Sequence, residues 1–222
     1  MLTVGILGFG RLGQSIAKGL KKSKLFRLEA SRRNSARARE LAKQFKIRVY
    51  TNNHDLVRHS DILVLAVKPS QAELLLKEIK RSLKKKHLLV SVCASITNAQ
   101  LRRWSGHKKI IRAMPNLPCL VNQGITVLSP LGVAKLEDLQ TTVKLFESLG
   151  DVLVLDEAQL DAVTALSACG PAFMFTIIES FIEAGVKVGL SRDVSRQLVL
   201  RTFVGSGLMV EKTRMHPAAL KD

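Results

Sequence analysis

The first 155 residues alternate between short apolar runs and longer stretches in which apolar residues recur at helical spacing. The clearest run, residues 61–67, is apolar almost throughout, which is typical of a strand covered on both faces of its sheet. This alternation predicts a parallel, doubly wound α/β sheet. The predicted strands are residues 3–7, 26–30, 47–50, 61–67, 88–92, 110–113, 125–128 and 152–155, and the predicted helices are residues 14–22, 35–45, 53–60, 71–85 and 135–149.

After Asp156 the pattern becomes helical. Glycine and proline separate the helical stretches, and Ser191 is a residue type that caps helix N-termini. The sequence therefore predicts two domains, a Rossmann-like doubly wound sheet over residues 1–156 and an all-helical domain over residues 157–222. The predicted helical stretches are residues 158–168, 171–188 and 192–212.

The middle helix of the second domain is apolar around most of its circumference, and few other elements remain to cover it. We expect a second copy of the chain to cover it, so that the protein forms a homodimer or a higher homo-oligomer. Glu179, Glu183 and Lys187 interrupt its apolar surface, which favours a buried or interfacial helix over a membrane span. Its apolar residues are Phe173, Phe175, Ile177, Ile178, Phe181, Ile182, Val186 and Val188.

The turn between the first predicted strand and helix has the spacing Gly8-x-Gly10-x-x-Gly13. In a dinucleotide site, Gly8 permits the sharp turn, Gly10 lets the backbone approach a pyrophosphate, and Gly13 lets the helix pack on the strand. The free N–H groups at the start of the helix attract the phosphates. The motif therefore predicts nucleotide binding, and the alternative is a glycine turn with a structural role only.

The turn after the second predicted strand indicates which nucleotide is bound. NAD-selective sites carry an acidic residue there, which holds the ribose 2′-hydroxyl. This chain has Ser31-Arg32-Arg33-Asn34 at the turn, and Glu29 comes one step too early. Arginine offers forked donors that suit a 2′-phosphate, so the turn favours NADP over NAD. The alternative is a solvated basic turn.

The chain is strongly basic, with 35 Lys and Arg against 18 Asp and Glu and a formal net charge of +17. Charge of this size attracts nucleic acid or anionic membranes in some proteins. Here the basic residues are spread over predicted helix surfaces, and the single Trp and single Tyr provide no aromatic positions among them for stacking bases. We interpret the charge as a solvated surface that attracts anionic ligands, with nucleic acid as the less favoured alternative and no membrane partner.

Cys93, Cys119 and Cys169 are odd in number and widely spaced, and the five histidines lack ligand spacing. The sequence therefore predicts no disulfide framework and no metal site, and it fits a reducing compartment. The N-terminus shows no secretory signal, so we expect a cytoplasmic protein. Cys169 is the one candidate nucleophile, because it precedes a predicted helix N-terminus, but a small residue in a tight turn is the favoured interpretation.

Five separate segments resemble the pyrroline-5-carboxylate reductase family, and together they extend over essentially the whole chain. The resemblance implies an NADP-binding Rossmann domain followed by a helical dimerisation domain that begins near residue 157. The resembling segments are Gly8-Phe9-Gly10-Arg11-Leu12-Gly13, residues 60–69 (SDILVLAVKP), residues 114–118 (MPNLP), residues 161–173 (DAVTALSACGPAF) and residues 216–222 (HPAALKD).

The resemblance also implies roles for single residues. Arg32 and Asn34 correspond to residues that meet the adenosine 2′-phosphate, and Glu157 corresponds to one that approaches the substrate. Considered alone, Asn53 is equally a helix cap, Ala94 a close-packing residue, and Glu157 a first-turn carboxylate. No catalytic residue is implied. The implied cofactor-binding residues are Gly8, Phe9, Gly10, Arg11, Leu12, Gly13, Arg32, Asn34, Asn53, Ala66, Val67, Lys68 and Ala94.

The implied reaction is the NADPH-dependent reduction of 1-pyrroline-5-carboxylate to L-proline, in proline biosynthesis. In the family, a substrate-contacting loop close to SPGGTT follows the HPxxLxD segment, whereas this sequence ends at Asp222, and Ser95 stands where the family usually has glycine. Two alternatives follow. One is a truncated NADP-binding homologue with little or no reductase activity and a regulatory or partner-binding role, and the other is a reductase of a different imine or a β-hydroxyacid.

Overall fold

The computed structural model describes residues 1–21 and 23–222 of the chain, and within these ranges it contains eight strands and ten α-helices. The predicted end of the first helix, Lys22, lies outside the described residues. The strands are β1 (Leu2–Leu7), β2 (Phe26–Ser31), β3 (Arg48–Tyr50), β4 (Ile62–Leu65), β5 (Leu88–Ser91), β6 (Ile110–Pro115), β7 (Gly124–Pro130) and β8 (Gly150–Val154). The helices are α1 (Arg11–Leu20), α2 (Ser35–Phe45), α3 (Asn53–His59), α4 (Pro69–Ile79), α5 (Asn98–Ser105), α6 (Leu136–Phe146), α7 (Leu160–Val163), α8 (Gly170–Lys187), α9 (Arg192–Thr213) and α10 (Pro217–Lys221).

The strands form a single sheet in the order β3-β2-β1-β4-β5-β6-β7-β8. Strand β1 pairs in parallel with both β2 and β4, so the strand order reverses beside β1. This is the doubly wound arrangement, in which ligands bind at the reversal, outside the carboxyl ends of the strands. The predicted fold class, a Rossmann-like sheet followed by a helical region, is confirmed.

Helices cover both faces of the sheet and bury β4 completely. Along β4, Val64 belongs to one apolar cluster, whereas Leu63 and Leu65 belong to the other, because successive side chains of a strand point to opposite faces. Helices α1, α2 and α6 contribute to the first cluster, and α3, α4 and α5 contribute to the second. The continuous apolar run in the sequence is thus the consequence of burial on both sides.

One strand pair departs from the predicted parallel sheet. Strands β6 and β7 are antiparallel, with Ala113 opposite Leu128. Only residues 116–123 connect them, whereas a parallel crossover needs about a dozen residues or more. A 3₁₀ turn, Leu117–Val121, reverses the chain within this connection. The expectation of an entirely parallel sheet is therefore wrong at this pair.

Helix α5 is absent from the sequence prediction. It has eight residues, and its N-terminus is a capping box in which the Thr97 hydroxyl accepts from the Gln100 N–H and the Gln100 side chain accepts from the Thr97 N–H. Gly106, with φ of 69°, ends the helix. The cap signals are present in the sequence, but the helix is too short for its apolar periodicity to be recognised.

The predicted helix over residues 158–168 is broken into shorter pieces. A 3₁₀ turn at Glu157–Gln159 leads into α7, and a π-helical turn, Thr164–Ala168, follows it. Leu160, at the start of α7, is only 1% exposed and packs in a small cluster with two sheet residues, Met114 and Val127. This segment therefore packs with the sheet.

Contacts divide the chain into two compact units, Met1–Cys169 and Gly170–Asp222. In the second unit, the side chain of Ser191 accepts from the Val194 N–H at the start of α9, which confirms the predicted N-cap. The rings of Phe181 and Phe203 pack edge to face, 5.6 Å apart. Many of the large apolar side chains on α8 and α9 nevertheless remain exposed in the single chain.

One helical stretch of the described residues, Glu157–Lys187, is long and apolar enough to cross a membrane when judged by length and composition alone. It has 31 residues, and its 18-residue apolar window has a mean hydropathy of 1.5. A single stretch of this kind is weak evidence, because interfacial and core helices of globular proteins pass the same test.

Candidate functional site

The glycine turn lies at the carboxyl end of β1, where the strand order reverses. Gly8 has φ of 92°, and a Cβ there would lie 2.5 Å from a Val67 methyl carbon and 2.8 Å from the Ala66 carbonyl oxygen. A Cβ at Gly13 would lie 2.7 Å from the Gly8 carbonyl oxygen, so only glycine lets α1 approach the turn this closely. A Cβ at Gly10 would meet no atom within 4 Å, so the backbone there faces open space.

The N-terminus of α1 has no side-chain cap within the part of the chain that the structure describes. Gly10 is the N-cap residue and provides no side-chain cap, and the first turn contains no acidic residue. The first N–H groups of a helix have no partner within the helix, and the helix dipole adds positive potential there. Arg11 and Leu12, the first residues of α1, are exposed. The turn and helix thus form a cradle that a phosphate group fits.

The side chain of Phe9, a residue of the predicted site, lies in the core, and its carbonyl group lies at the turn. Its side chain is fully buried and packs edge to face against Phe45, with ring centroids 5.0 Å apart. Its carbonyl oxygen accepts a hydrogen bond of 3.0 Å from Nη1 of Arg32. This contact holds the Arg32 guanidinium directly beside the glycine turn.

Two polar residues at and before the turn after β2, Asn34 and Glu29, each have a defined hydrogen-bond partner. Asn34 is the N-cap of α2, and its Oδ1 accepts from the Arg37 N–H at 2.9 Å. Glu29 is buried and accepts from the Tyr50 hydroxyl at 2.9 Å, away from the turn. Burial and the Glu29 carboxylate raise the pKa of Tyr50 to about 12. Strand β2 itself therefore presents no carboxylate at the turn, as the sequence predicts.

Asn53 is not the cap of α3, because the Asn52 side chain accepts from the His54 N–H and fills that position. Asn53 is instead 5% exposed, and its amide is fixed at both ends. Its Oδ1 accepts from the Ser31 hydroxyl at 2.7 Å, and its Nδ2 donates to Oε1 of Glu78 at 3.0 Å. The helix-cap interpretation of Asn53 is wrong by one residue.

Glu78 is a residue that the sequence analysis did not single out. Its Oε2 accepts from Nη2 of Arg33 at 3.1 Å, so α4 places a carboxylate at the turn after β2. Arg33 and Glu78 are 45 positions apart in the chain. Because no local pattern links residues at that distance, only the tertiary structure reveals the contact.

Ala66, Val67 and Lys68 follow β4 on the other side of the glycine turn. The Ala66 N–H donates to the Leu7 carbonyl at 2.8 Å, and Val67 is half-buried against Gly8. Lys68 is exposed and is the N-cap of α4, where the following proline begins the helix. Ala66 and Val67 therefore border the glycine turn, and the assignment of all three residues to the cofactor stays a prediction.

Ala94 lies after β5, at the same edge of the sheet. The preceding Cys93 is buried, and its thiol donates to the Val67 carbonyl at 3.2 Å, while burial raises its pKa. Ser95 has φ of 60°, a left-handed conformation that glycine adopts most easily. The backbone shape that favours glycine at this position is thus retained with serine.

Two hydrogen-bond donors hold the carboxylate of Glu157 in place. Its Oε1 accepts from the Asn98 N–H at 2.6 Å and from Nη1 of Arg112 at 2.8 Å. The Arg112 side chain is only 6% exposed, so the pair is buried on the arginine side. An open groove of about 260 Å³ lies beside Glu157 and is lined by Ser129, Pro130, Val154, Leu155, Asp156 and Gln159.

Cys169, the candidate nucleophile, is exposed, and its N–H donates to the Thr164 carbonyl at 2.9 Å. No hydrogen bond or ion pair within residues 1–21 and 23–222 joins its thiol to a base. In the same ranges, no group of three or more His, Cys, Asp or Glu side chains is arranged to hold a metal.

Two families match this chain. Residues 157–222 match the family described as pyrroline-5-carboxylate reductase dimerisation, and residues 3–95 match the family described as NADP oxidoreductase coenzyme F420-dependent. The helical part of the chain therefore belongs to a dimerisation family, which supports homo-oligomerisation.

Relatives named pyrroline-5-carboxylate reductase align with nearly the whole chain. The Arabidopsis thaliana protein is 36% identical over 222 residues, which are 99% of this chain and 80% of the relative. The Escherichia coli protein is 34% identical over 223 residues, which are 99% of this chain and 83% of the relative. The solved structure of Plasmodium falciparum pyrroline carboxylate reductase with NADP bound has a TM-score of 0.89 and 34% identity, and the match covers 100% of this chain and 83% of that one. The chain therefore belongs to the pyrroline-5-carboxylate reductase family.

Proposed function

We propose that this protein reduces 1-pyrroline-5-carboxylate to L-proline with NADPH, as the names of its relatives suggest. The observation that carries the proposal is the glycine cradle at the strand reversal, with the Arg32 guanidinium held against the Phe9 carbonyl beside it. The cradle suits a pyrophosphate, and the arginine suits an additional phosphate on the adenosine ribose.

The residues present fit the cofactor. The backbone at Gly8, Gly10 and Gly13 leaves room for phosphates, which a Cβ at Gly8 or Gly13 would disturb by displacing neighbouring backbone. Arg32 donates to Phe9 through one nitrogen and keeps further N–H donors for a 2′-phosphate. We assign the same cofactor to Phe9, Arg11, Leu12, Asn34, Asn53, Ala66, Val67, Lys68 and Ala94, which surround the turn or follow the neighbouring strands.

When bound, NADPH supplies the hydride that reduces the C=N carbon of the substrate, and a proton completes the amine. The protein binds and orients both molecules. The cradle neutralises phosphate charge, and the ion pair of Arg112 with Glu157 fixes the position of the carboxylate that we assign to the substrate side. We assign no group of this chain as an acid or base.

We further propose that the chain forms a homodimer or a higher homo-oligomer through α8 and α9 and acts in the cytoplasm. Exposed phenylalanine, isoleucine and leucine side chains on these helices support a protein interface, since a second copy would bury them. Neither a membrane nor nucleic acid is needed as a partner.

The test is a measurement of NADPH consumption with 1-pyrroline-5-carboxylate, together with an NADPH-binding titration of the same preparation. We expect turnover, and Arg32→Ala should raise the KM for NADPH about tenfold with little change in kcat, because a charge-assisted contact is lost. Arg39→Ala, at an exposed arginine on α2, is the matched control and should change the KM less than about twofold. Tight NADPH binding without turnover would instead support the cofactor-binding homologue with a regulatory or partner-binding role.

A further inference from the structure

Four side chains form a connected chain of hydrogen bonds beside the glycine turn. The Ser31 hydroxyl donates to Asn53 Oδ1 at 2.7 Å, and Asn53 Nδ2 donates to Glu78 Oε1 at 3.0 Å. Arg33 Nη2 donates to Glu78 Oε2 at 3.1 Å. Both carboxylate oxygens of Glu78 are therefore engaged, one by a neutral amide and one by a cation.

The exposed fraction of the side chains increases along this series of hydrogen bonds, from Ser31 to Arg33. Ser31 and Asn53 are 1% and 5% exposed, whereas the side chains of Glu78 and Arg33 are 30% and 65% exposed. If Glu78 moved away, the buried Asn53 amide would lose its acceptor, which is costly. The Asn53 amide therefore fixes the position of the Glu78 carboxylate. At the exposed end, the Arg33 guanidinium lies 3.1 Å from this fixed carboxylate, so the two opposite charges are held next to each other.

The carboxylate changes the charge at the turn. Arg32 and Arg33 would together offer two positive charges to a ligand, but Glu78 cancels one of them. A 2′-phosphate carries close to two negative charges at neutral pH and is repelled by Glu78, whereas a ribose hydroxyl is neutral and is not. A carboxylate near this turn is also the group type that accepts from a ribose 2′-hydroxyl in NAD-selective sites.

We propose that Glu78 is a specificity-determining residue that lowers the preference of this protein for NADPH over NADH. It does so by holding Arg33 in an ion pair and by placing a negative charge at the turn after β2. The inference rests on the proposed NADPH-binding function and adds to it a residue from α4 that no motif identifies.

The first experiment compares NADPH and NADH binding in the full chain and in Glu78→Gln, by calorimetric or fluorescence titration. Glutamine keeps an acceptor for Asn53 and removes the charge. We expect the Kd for NADPH to fall about fivefold and the Kd for NADH to change less than about twofold. The effect of the substitution on the Kd for NADPH should become smaller at high salt. Glu73→Gln is the matched control on the same helix, because Glu73 pairs with the neighbouring exposed Lys77, and it should leave both constants unchanged.

The second experiment tests whether the effect passes through Arg33. Arg33→Ala should alter NADPH affinity little in the wild-type background, where Glu78 neutralises the arginine. The same substitution should weaken NADPH binding about fivefold in the Glu78→Gln background, where the arginine is free. Equal changes for both nucleotides, or an unchanged affinity ratio, would overturn the role of Glu78 while leaving the proposed function intact. Absence of NADPH binding by the wild-type chain would overturn both.

Discussion

Both units of this chain contain strongly apolar segments, but only the first unit buries them by itself. In β4 every side chain is buried, and Leu63 is 0% exposed. In α8, Phe173, Phe175 and Phe181 are 60%, 54% and 57% exposed in the single chain. The hydrophobicity of a segment therefore does not indicate whether the same chain or another molecule covers it.

The difference follows from the number of layers in each unit. In the first unit, helices cover both faces of the sheet, so each strand is enclosed by its own chain. In the second unit, α8 and α9 pack mainly on each other, and a pair of helices can cover only one side of each. The remaining apolar surface requires another molecule, which agrees with the match of residues 157–222 to a dimerisation family.

The largest effect that we predict is the loss of a buried side chain in the first unit. Leu63→Ala removes a fully buried side chain and should lower the free energy of unfolding by about 3 to 4 kcal/mol. Urea denaturation followed by Trp104 fluorescence measures this, because Trp104 packs against the same cluster. Leu74→Ala, at a 64% exposed position of α4, is the control and should shift this transition by less than about 0.5 kcal/mol. Similar shifts for both variants would contradict the role of burial in the first unit.

The stability of the first unit should also depend on pH, through His87. His87 is fully buried, and burial together with nearby Lys86 and His107 lowers its pKa to about 4. The unfolded chain, with a histidine pKa of about 6.5, then binds more protons than the folded chain. Stability is therefore complete above pH 6.5 or so and is lost as the pH falls from about 6.5 to about 4, by about 3 kcal/mol.

The measurement for His87 is urea denaturation at a series of pH values. His87 Nδ1 accepts a hydrogen bond of 3.0 Å from the Lys84 N–H. His87→Asn keeps an acceptor for this N–H and removes the titrating imidazole. Its stability should fall less steeply over this pH range than that of the wild type. His216→Asn, at an exposed cap of α10, is the control and should keep the wild-type slope. An unchanged slope in His87→Asn would refute the assignment.

A charge on the exposed face of the second unit should weaken self-association. Phe175→Glu places a carboxylate on α8 where we expect a second copy to pack, and it should raise the dissociation constant at least about 30-fold, or about 2 kcal/mol. Sedimentation velocity over a concentration series measures this. Leu25→Glu, at a 56% exposed position of the first unit, should leave the constant unchanged. If Leu25→Glu weakened association and Phe175→Glu did not, the comparison between the two units would be wrong.

The smallest effect that we predict is the same in both units. Thr97 caps α5 and Ser191 caps α9, and each side chain accepts from a backbone N–H of the first turn. Replacing either residue by alanine should lower stability by about 1 kcal/mol, because a cap acts locally and needs no partner molecule. Thermal denaturation at equal protein concentration measures both, since association also stabilises the second unit. A much larger effect at Ser191 would show that the cap is coupled to association.

Local patterns in the sequence predicted much of the fold and part of the candidate site. The run at β4, the glycine turn before α1 and the cap at Ser191 all have the predicted structure. These features depend on residues that are close in the chain, so their spacing contains the information needed. The assignment of the cofactor and substrate residues stays a prediction, which the binding measurements above test.

The features that the sequence left undetermined depend on residues far apart in the chain. Neither the antiparallel pairing of β6 with β7 nor the ion pair of Arg112 with Glu157 has a signature in local spacing. The same is true of the contact of Glu78 with Arg33, because the packing of α4 brings together two residues that are 45 positions apart.

The sequence by itself determined the doubly wound class, the position of the glycine turn and the apolar character of α8. Periodicity and glycine spacing express these properties directly, because backbone geometry and burial act on neighbouring residues. The tertiary structure decided which charges surround the turn after β2 and which apolar surfaces remain uncovered in one chain. Both depend on how separate elements pack, and packing brings together side chains whose distance along the chain carries no information about their contact.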